Sequence, residues 1–324
     1  MATEHKNRET SSTLSFRPEP RDVVLRWLAM AAVTFLWLAS RTDPALGKPS
    51  TRPEPFSFLQ QRLIEDGFDR NLIEGIYARS EAAFDQKGIA DYFSHREATL
   101  DYDQFLTPSS IDQAMAYFNE HRKGLKEIER RYGVEGGVVT AILLVESRLG
   151  TFIGKRRVLN TLSSLSALAE TAKRDMLWNG HVKGKAQETQ EIRNRFDKWA
   201  VRKSDWAYRE LKAYLTYVQA QNIDPFSLRG SYAGALGFAQ FVPSSVLTFG
   251  RDGNKDGQVN LHEHMDAIES VANYLNEHGW RPGQERDEAL RVLLRYNHST
   301  YYAETILKVA DRLKSVGTHK IPTQ

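Results

Sequence analysis

The stretch Val138 to Gly150, VVTAILLVESRLG, carries one carboxyl, Glu146, at the end of an apolar run. Val139, Ile142 and Leu143 lie seven, four and three residues before Glu146 and so share its face of a helix. Val138, Ala141, Leu144 and Val145 cover the other faces. A helix apolar all round belongs inside a protein, so the carboxyl is carried to the rim of a core. Burial and the negative end of the helix both favour its neutral form there. A carboxylic acid that keeps its proton near neutral pH can act as a general acid. The plain alternative is a solvated helix end, or an ion pair with Arg148.

Three further stretches carry chemistry. Ser231 to Ser245, SYAGALGFAQFVPSS, combines Gly234 and Gly237, which permit close backbone approach, with flat rings (Tyr232, Phe238, Phe241) and polar ends (Ser231, Gln240). Rings with a few directed hydrogen-bonding groups suit a sugar cleft; a glycine-containing packing turn is the alternative. Asp252 to Glu263, DGNKDGQVNLHE, meets the calcium-loop pattern. Asp252, Asn254 and Asp256 supply side chains, Gln258 its carbonyl, Asn260 a contact through water and Glu263 both oxygens, with Gly257 at the sharp turn. Hard oxygen donors favour Ca2+ over zinc. Tyr296-Asn297 stands where a helix meets a loop, a place for ligand contacts or simply a helix cap.

The elements that must position these residues are helical. Apolar residues recur at helical spacing from Phe56, through Ile111, Met115 and Phe118, and on through Leu125, Ile128 and Tyr132. Tyr92 to Gln104 is expected to run extended. Lys173 to Lys203 is polar and reads as a solvated excursion. An amphipathic helix follows, from Trp206 to Val218. Asp266 and Glu269 resemble a capping pair for the next helix. The chain has 324 residues, 41% hydrophobic and 26% charged, with a net charge of +3 and no cysteine. This excludes disulfides and thiolate metal sites, and nucleic acid is not expected as a partner. Residues 1–40 read as a secretory signal or an N-terminal membrane anchor, with an apolar run from Trp27 to Ala39 behind a basic leader. Residues 41–55 hold four prolines and suit a linker.

The order of Glu146-Ser147-Arg148-Leu149-Gly150, Asn160-Thr161-Leu162, the Gly230–Ser245 block, the calcium loop, Gly279-Trp280 and Tyr296-Asn297 resembles the lytic transglycosylases of peptidoglycan, specifically the membrane-bound lytic transglycosylase B family. The resemblance covers roughly Phe56 to Lys314. It implies a mostly α, lysozyme-like catalytic core with additional helical segments and an EF-hand-like calcium loop. The catalytic region would span 56–320, with its core at about 110–172 and 226–314 and a helical insertion at about 173–225. By the same resemblance Glu146 is the single catalytic carboxyl, and Ser231, Tyr232, Gln240, Phe241, Tyr296 and Asn297 line the glycan cleft. It implies cleavage of the MurNAc–GlcNAc β-1,4 bond with closure of a 1,6-anhydro ring, in the periplasm, by a monomer. No second carboxylate is found in the stretches expected to line the cleft, whereas hydrolytic glycosidases generally use two. The rivals are a hydrolytic muramidase and an inactive, calcium-dependent glycan-binding scaffold. A lipid anchor on cysteine is impossible, so any inner-membrane attachment rests on Trp27–Ala39.

Overall fold

The computed structural model describes residues 55–94, 101–183 and 190–318, with side chains to 315. The leader, the apolar run and all but the end of the linker lie outside the described residues. Helices dominate: α1 Ser57–Glu65, α2 Arg70–Tyr77, α3 Gln86–Ser94, α4 Pro108–Glu120, α5 Arg122–Tyr132, α6 Gly136–Ser147, α7 Val158–Ser166, α8 Thr171–Leu177, α9 Gln190–Ala220, α10 Pro243–Phe249, α11 His264–Glu277, α12 Arg286–Tyr296 and α13 Thr300–Thr318.

α6 sits at the centre, packed against α4, α5, α11 and α13. Val139, Ala141, Ile142 and Leu143 are wholly buried, as an all-apolar helix requires. Its two buried hydroxyls bond back along the helix, Thr140 Oγ1 to the Gly136 carbonyl at 2.8 Å and Ser147 Oγ to the Leu143 carbonyl at 3.2 Å, so neither is left unsatisfied. The helix stops abruptly. Arg148, Leu149 and Gly150 all have positive φ (48°, 59° and 89°), and the Leu149 N–H returns to the Leu143 carbonyl at 2.9 Å, a left-handed cap that ends the helix at Ser147, one residue after Glu146.

Beyond the cap, two short strands pair antiparallel: β1 Arg156–Arg157 and β2 Arg229–Gly230, with Arg156 opposite Gly230 and Arg157 opposite Arg229. Gly154 makes this possible, since a Cβ there would lie 2.0 Å from the Gly230 carbonyl oxygen. The pairing clamps the segment after α6 to the start of the glycine-containing block.

Four expectations need correction. The segment from Lys173 to Lys203 is not a solvated excursion: Leu177, Trp178, Val182, Phe196 and Ala200 are buried, and α9 begins at Gln190 rather than near Trp206. Its buried stripe passes through small or polar residues (Ala200, Ser204, Ala207) before Leu211, so bulk hydropathy hides a continuous face. Tyr92 lies in a helix, α3, not in an extended run. The apolar side from Ile111 to Tyr132 is divided between two helices by His121. Finally, Asp266 does not cap its own helix. It is fully buried and accepts the N–H groups of Gly253, Asn254 and Asn260 at 2.9, 3.2 and 2.7 Å, while Glu269 binds the Arg131 guanidinium and the Tyr132 hydroxyl.

Candidate active site

The end of α6 opens into a cleft of about 920 Å³. Glu146 lines it, together with Ser231, Tyr232, Gln240, Tyr296 and Asn297. Five of the six residues expected around Glu146 are thus gathered there, from segments up to 151 positions away (297 − 146) in the chain.

Phe241 is the exception. It is 3% exposed and faces the core, with its ring 5.5 Å from that of Tyr274 and 5.8 Å from that of Tyr296. Leu236 and Phe241 exchange backbone hydrogen bonds at 2.8 and 3.2 Å, and this tight bridge turns Phe241 inward. Phe241 therefore backs Tyr296 instead of lining the cleft. The polar ends also do local work. Ser231 Oγ accepts from the Ala233 and Ala235 N–H groups, both at 3.1 Å, and Gln240, in a left-handed conformation with φ 48°, donates to the Gly237 carbonyl at 2.8 Å. Asn297 Oδ1 accepts from the Ser299 N–H at 3.1 Å, so it is a capping residue as well as a cleft residue. The Tyr296 hydroxyl donates to the Ala239 carbonyl at 2.6 Å, tying α12 to the glycine-containing block. The far end of that block is held by Glu210, a buried α9 carboxylate that accepts the Ser244 N–H and hydroxyl, each at 2.9 Å.

Several further residues line the cleft that the sequence did not assign to it. Tyr302, one turn into α13, is 1% exposed. Its ring stacks on Tyr296, with centroids 6.2 Å apart and planes 14° apart. Burial first, then the charge of Glu146, pushes the phenols of both Tyr296 and Tyr302 well above their ordinary range. Both remain neutral hydroxyls facing the carboxyl. Arg148 donates to Gln104 Oε1, tying the helix cap to the 3₁₀ turn Asp103–Leu106. Phe152, 60% exposed, presents a bare ring to the cleft. Asp101 also lines it, a second carboxylate from outside the stretches expected to line the cleft. Asp101 is exposed and accepts the Asp103 N–H at 3.0 Å.

The 252–263 loop turns through left-handed backbone at Lys255 and Gly257, with φ 66° and 90°. Its side chains fold onto its own N–H groups. Asp252 accepts from Asp256 and Gly257 at 3.1 and 2.8 Å, Asn254 from Asp256 at 3.0 Å, and Asp256 from Gln258 at 2.9 Å. Glu263 is exposed. Among the described residues, no three Asp, Glu, His or Cys side chains are close enough together to hold a metal ion. The oxygen donors are of the kind a calcium ion takes, but they are turned onto the loop's own N–H groups and not gathered around a common point.

A chain with one carboxyl set at the tip of a buried helix, in a cleft walled by tyrosines and a glycine-containing loop, belongs to a recognisable class. The model of the transglycosylase SLT domain family matches residues 51–291, and the chain belongs to that family. It is similar to the membrane-bound lytic murein transglycosylase B of Escherichia coli, 27% identical over 250 residues that make up 74% of this chain and 61% of that protein. The chain thus spans about three fifths of that relative's length. Among solved structures, soluble lytic transglycosylase SltB1 of Pseudomonas aeruginosa aligns with a TM-score of 0.65 at 22% identity, covering 82% of this chain and all of that one. Escherichia coli Slt35, solved in complex with calcium, aligns at 0.64 and 22%, covering 86% of this chain and all of its own. Pseudomonas aeruginosa SltB3, in complex with NAG-anhNAM-pentapeptide, aligns at 0.62 and 20%, covering 79% of this chain and 78% of its own. The lysozyme-like, mostly helical fold is shared with all three.

Proposed function

We propose that this protein is a lytic transglycosylase that cleaves the β-1,4 bond between N-acetylmuramic acid and N-acetylglucosamine in peptidoglycan. Glu146 donates its proton to the linking oxygen, and the bond from that oxygen to the muramic anomeric carbon breaks. The carboxylate then takes the proton of the same sugar's 6-hydroxyl, whose oxygen bonds to the anomeric carbon. A 1,6-anhydro ring closes and no water is consumed. The observation that carries this reading is the placement of Glu146: the last turn of a buried helix presents it to a cleft that Tyr296 and Tyr302 also line, close enough for its charge to act on both phenols. Ser231, Tyr232, Gln240 and Asn297 would hold the glycan around it. A digest of purified glycan read by mass spectrometry tests it. Anhydro ends, one water lighter than reducing ends, are expected; reducing ends alone would sink it.

Asp101 favours one second reading, hydrolysis with a paired carboxylate. Its exposure and its role in the 3₁₀ turn weigh against a catalytic acid or base. Substitution Asp101→Asn with unchanged product ratio and rate within twofold excludes the pair.

The same reading places the protein in the periplasm, either freed from or held by the Trp27–Ala39 segment, which fractionation of cells would decide. It also assigns Ca2+ a structural role in the 252–263 loop, held by Asp252, Asn254, Asp256, the Gln258 carbonyl and Glu263, with Asn260 acting through water. The left-handed Gly257 and the relative solved with calcium support this. An ion bound only by the folded chain raises stability by mass action, so calcium should raise the melting temperature and chelator should reverse the rise. Equal melting with and without the ion would remove calcium from the account.

A further inference from the structure

Behind one wall of the cleft stands α9, the helix whose first half reads as solvated. Tyr232 lines the cleft, and behind it stands Tyr92 of α3, with ring centroids 5.0 Å apart and planes at 46°. Tyr92 is held from the other side by α9. Trp199 meets it edge-on at 5.6 Å and 84°. The Lys203 ammonium lies 4.7 Å from the Tyr92 ring centre and 4.8 Å from that of Trp206, and it donates to the Tyr92 hydroxyl. Trp199, Lys203 and Trp206 are spaced four and three apart, so they share one helix face. A half-buried lysine held by a phenol oxygen and two ring faces is fixed in a way an exposed one is not. Tyr232 itself sits just after β2, between Gly230 and Gly234.

We propose that Lys203 and Tyr92 are positioning residues. They fix the ring of Tyr232 as a stacking platform and so set the affinity of the cleft for its substrate without touching the reacting atoms. The proposal rests on the reading of the cleft as a glycan site. Removing the ammonium frees Tyr92 to turn about its side-chain bonds, and Tyr232 loses its backing. Binding weakens, while the Glu146 chemistry, on a different element, proceeds at its former rate once substrate is in place.

The test uses the full chain with substitutions Lys203→Met, Lys203→Arg and Tyr232→Ala. Substitution Lys203→Met keeps the aliphatic stem and should raise KM for soluble glycan chains by roughly 5- to 20-fold, with kcat within about twofold. Substitution Lys203→Arg, which keeps charge and donor, should restore most of the loss. The double variant Lys203→Met with Tyr232→Ala should bind no worse than Tyr232→Ala alone, because both act through one ring. The same order is expected when the inactive Glu146→Gln protein is sedimented with insoluble peptidoglycan. A fluorine label on the ring of Tyr232 gives a readout that needs no substrate. Its NMR signal should move with Lys203→Met and return with Lys203→Arg. Additive losses in the double variant, a fall in kcat that tracks a fall in melting temperature, or an unmoved fluorine signal would each overturn the proposal. If the fluorine signal moves as expected but the wild type neither binds nor cuts glycan, the positioning stands and the glycan reading fails.

Discussion

Two turns in this protein are made from similar materials and are used in opposite ways. At 147–154 and at 252–263 the chain reverses through residues of positive φ, and each turn stands beside carboxylates. In the second turn the carboxylates are consumed by the loop: Asp252 and Asp256 accept its own N–H groups, and Asp266 gathers three more from below. In the first turn the backbone is closed without Glu146. The Leu143 and Leu144 carbonyls and the Ser147 hydroxyl satisfy the Leu149, Arg148 and Gly150 N–H groups. Glu146 is left to face the cleft. A carboxylate that caps backbone makes shape, and one relieved of that duty by its neighbours can exchange a proton.

Loss of the Glu146 carboxyl should cost the protein most. Substitution Glu146→Gln keeps size and hydrogen bonding but cannot donate and then accept a proton. It should lower turnover by about 10³-fold or more and leave the melting temperature within about 2 °C, since the Arg148, Leu149 and Gly150 N–H groups of the cap are satisfied by other groups. A large loss of stability would place Glu146 with the loop-building carboxylates instead. Next comes Tyr302. Substitution Tyr302→Phe removes a buried hydroxyl that faces Glu146 while keeping its ring on Tyr296. Turnover should fall by roughly 10- to 100-fold at unchanged KM. Full activity would mean that the phenol only fills space.

How much of this was legible is clearest from the same two turns. Both showed in the sequence, because a helix apolar on every face and a loop of alternating oxygen donors with a glycine at its bend are each hard to read otherwise. What stayed hidden depended on long-range pairing. The inward turn of Phe241 follows from its bridge to Leu236. The burial of Asp266 follows from a loop folded back over α11. The cleft positions of Tyr302 and Asp101 follow from elements brought from both ends of the described chain. The backing that α9 gives to Tyr92 was hidden for another reason, because the buried face of α9 runs through alanines and a serine.

The two turns meet at one joint, where a smaller effect is expected. The Phe238 N–H donates to the Leu261 carbonyl at 2.8 Å, and Gly237, at φ 65°, lies so close that a Cβ would fall 2.3 Å from the Leu261 oxygen. Phe238 also packs under Gly150. Substitution Gly237→Ala must both hold a left-handed alanine and push back main chain, at a cost of about 2–3 kcal/mol. Chemical denaturation should show it, with turnover falling as the cap at Gly150 shifts. A neutral result would mean that the turns are mechanically independent.

The smallest effect comes from acid. His121 and His262 sit near this joint: His121 stacks on His264 with centroids 4.8 Å apart, and both His264 and His262 pack on Phe238. Burial holds the imidazoles of His121 and His262 below their ordinary value, and the nearby charge of His264 adds to this at His121. The folded state therefore prefers them neutral. Their contribution is complete above about pH 6.5, the unfolded value, and is lost as pH falls through the lower folded values. The ion-paired carboxylates Asp66, Glu81 and Asp224, which Lys212 and Arg79 hold below their usual range, respond only below about pH 4. Between pH 7.5 and 5.5, in calcium-free buffer, the melting temperature should drop by roughly 2–4 °C, and substitution His262→Gln should flatten part of that slope. Hydrogen exchange over the same range should quicken first at 258–265, before the amides of α6. Should α6 loosen first, the proton-exchanging turn would be the weaker of the two, and the division of labour between capping and catalytic carboxylates would need another cause.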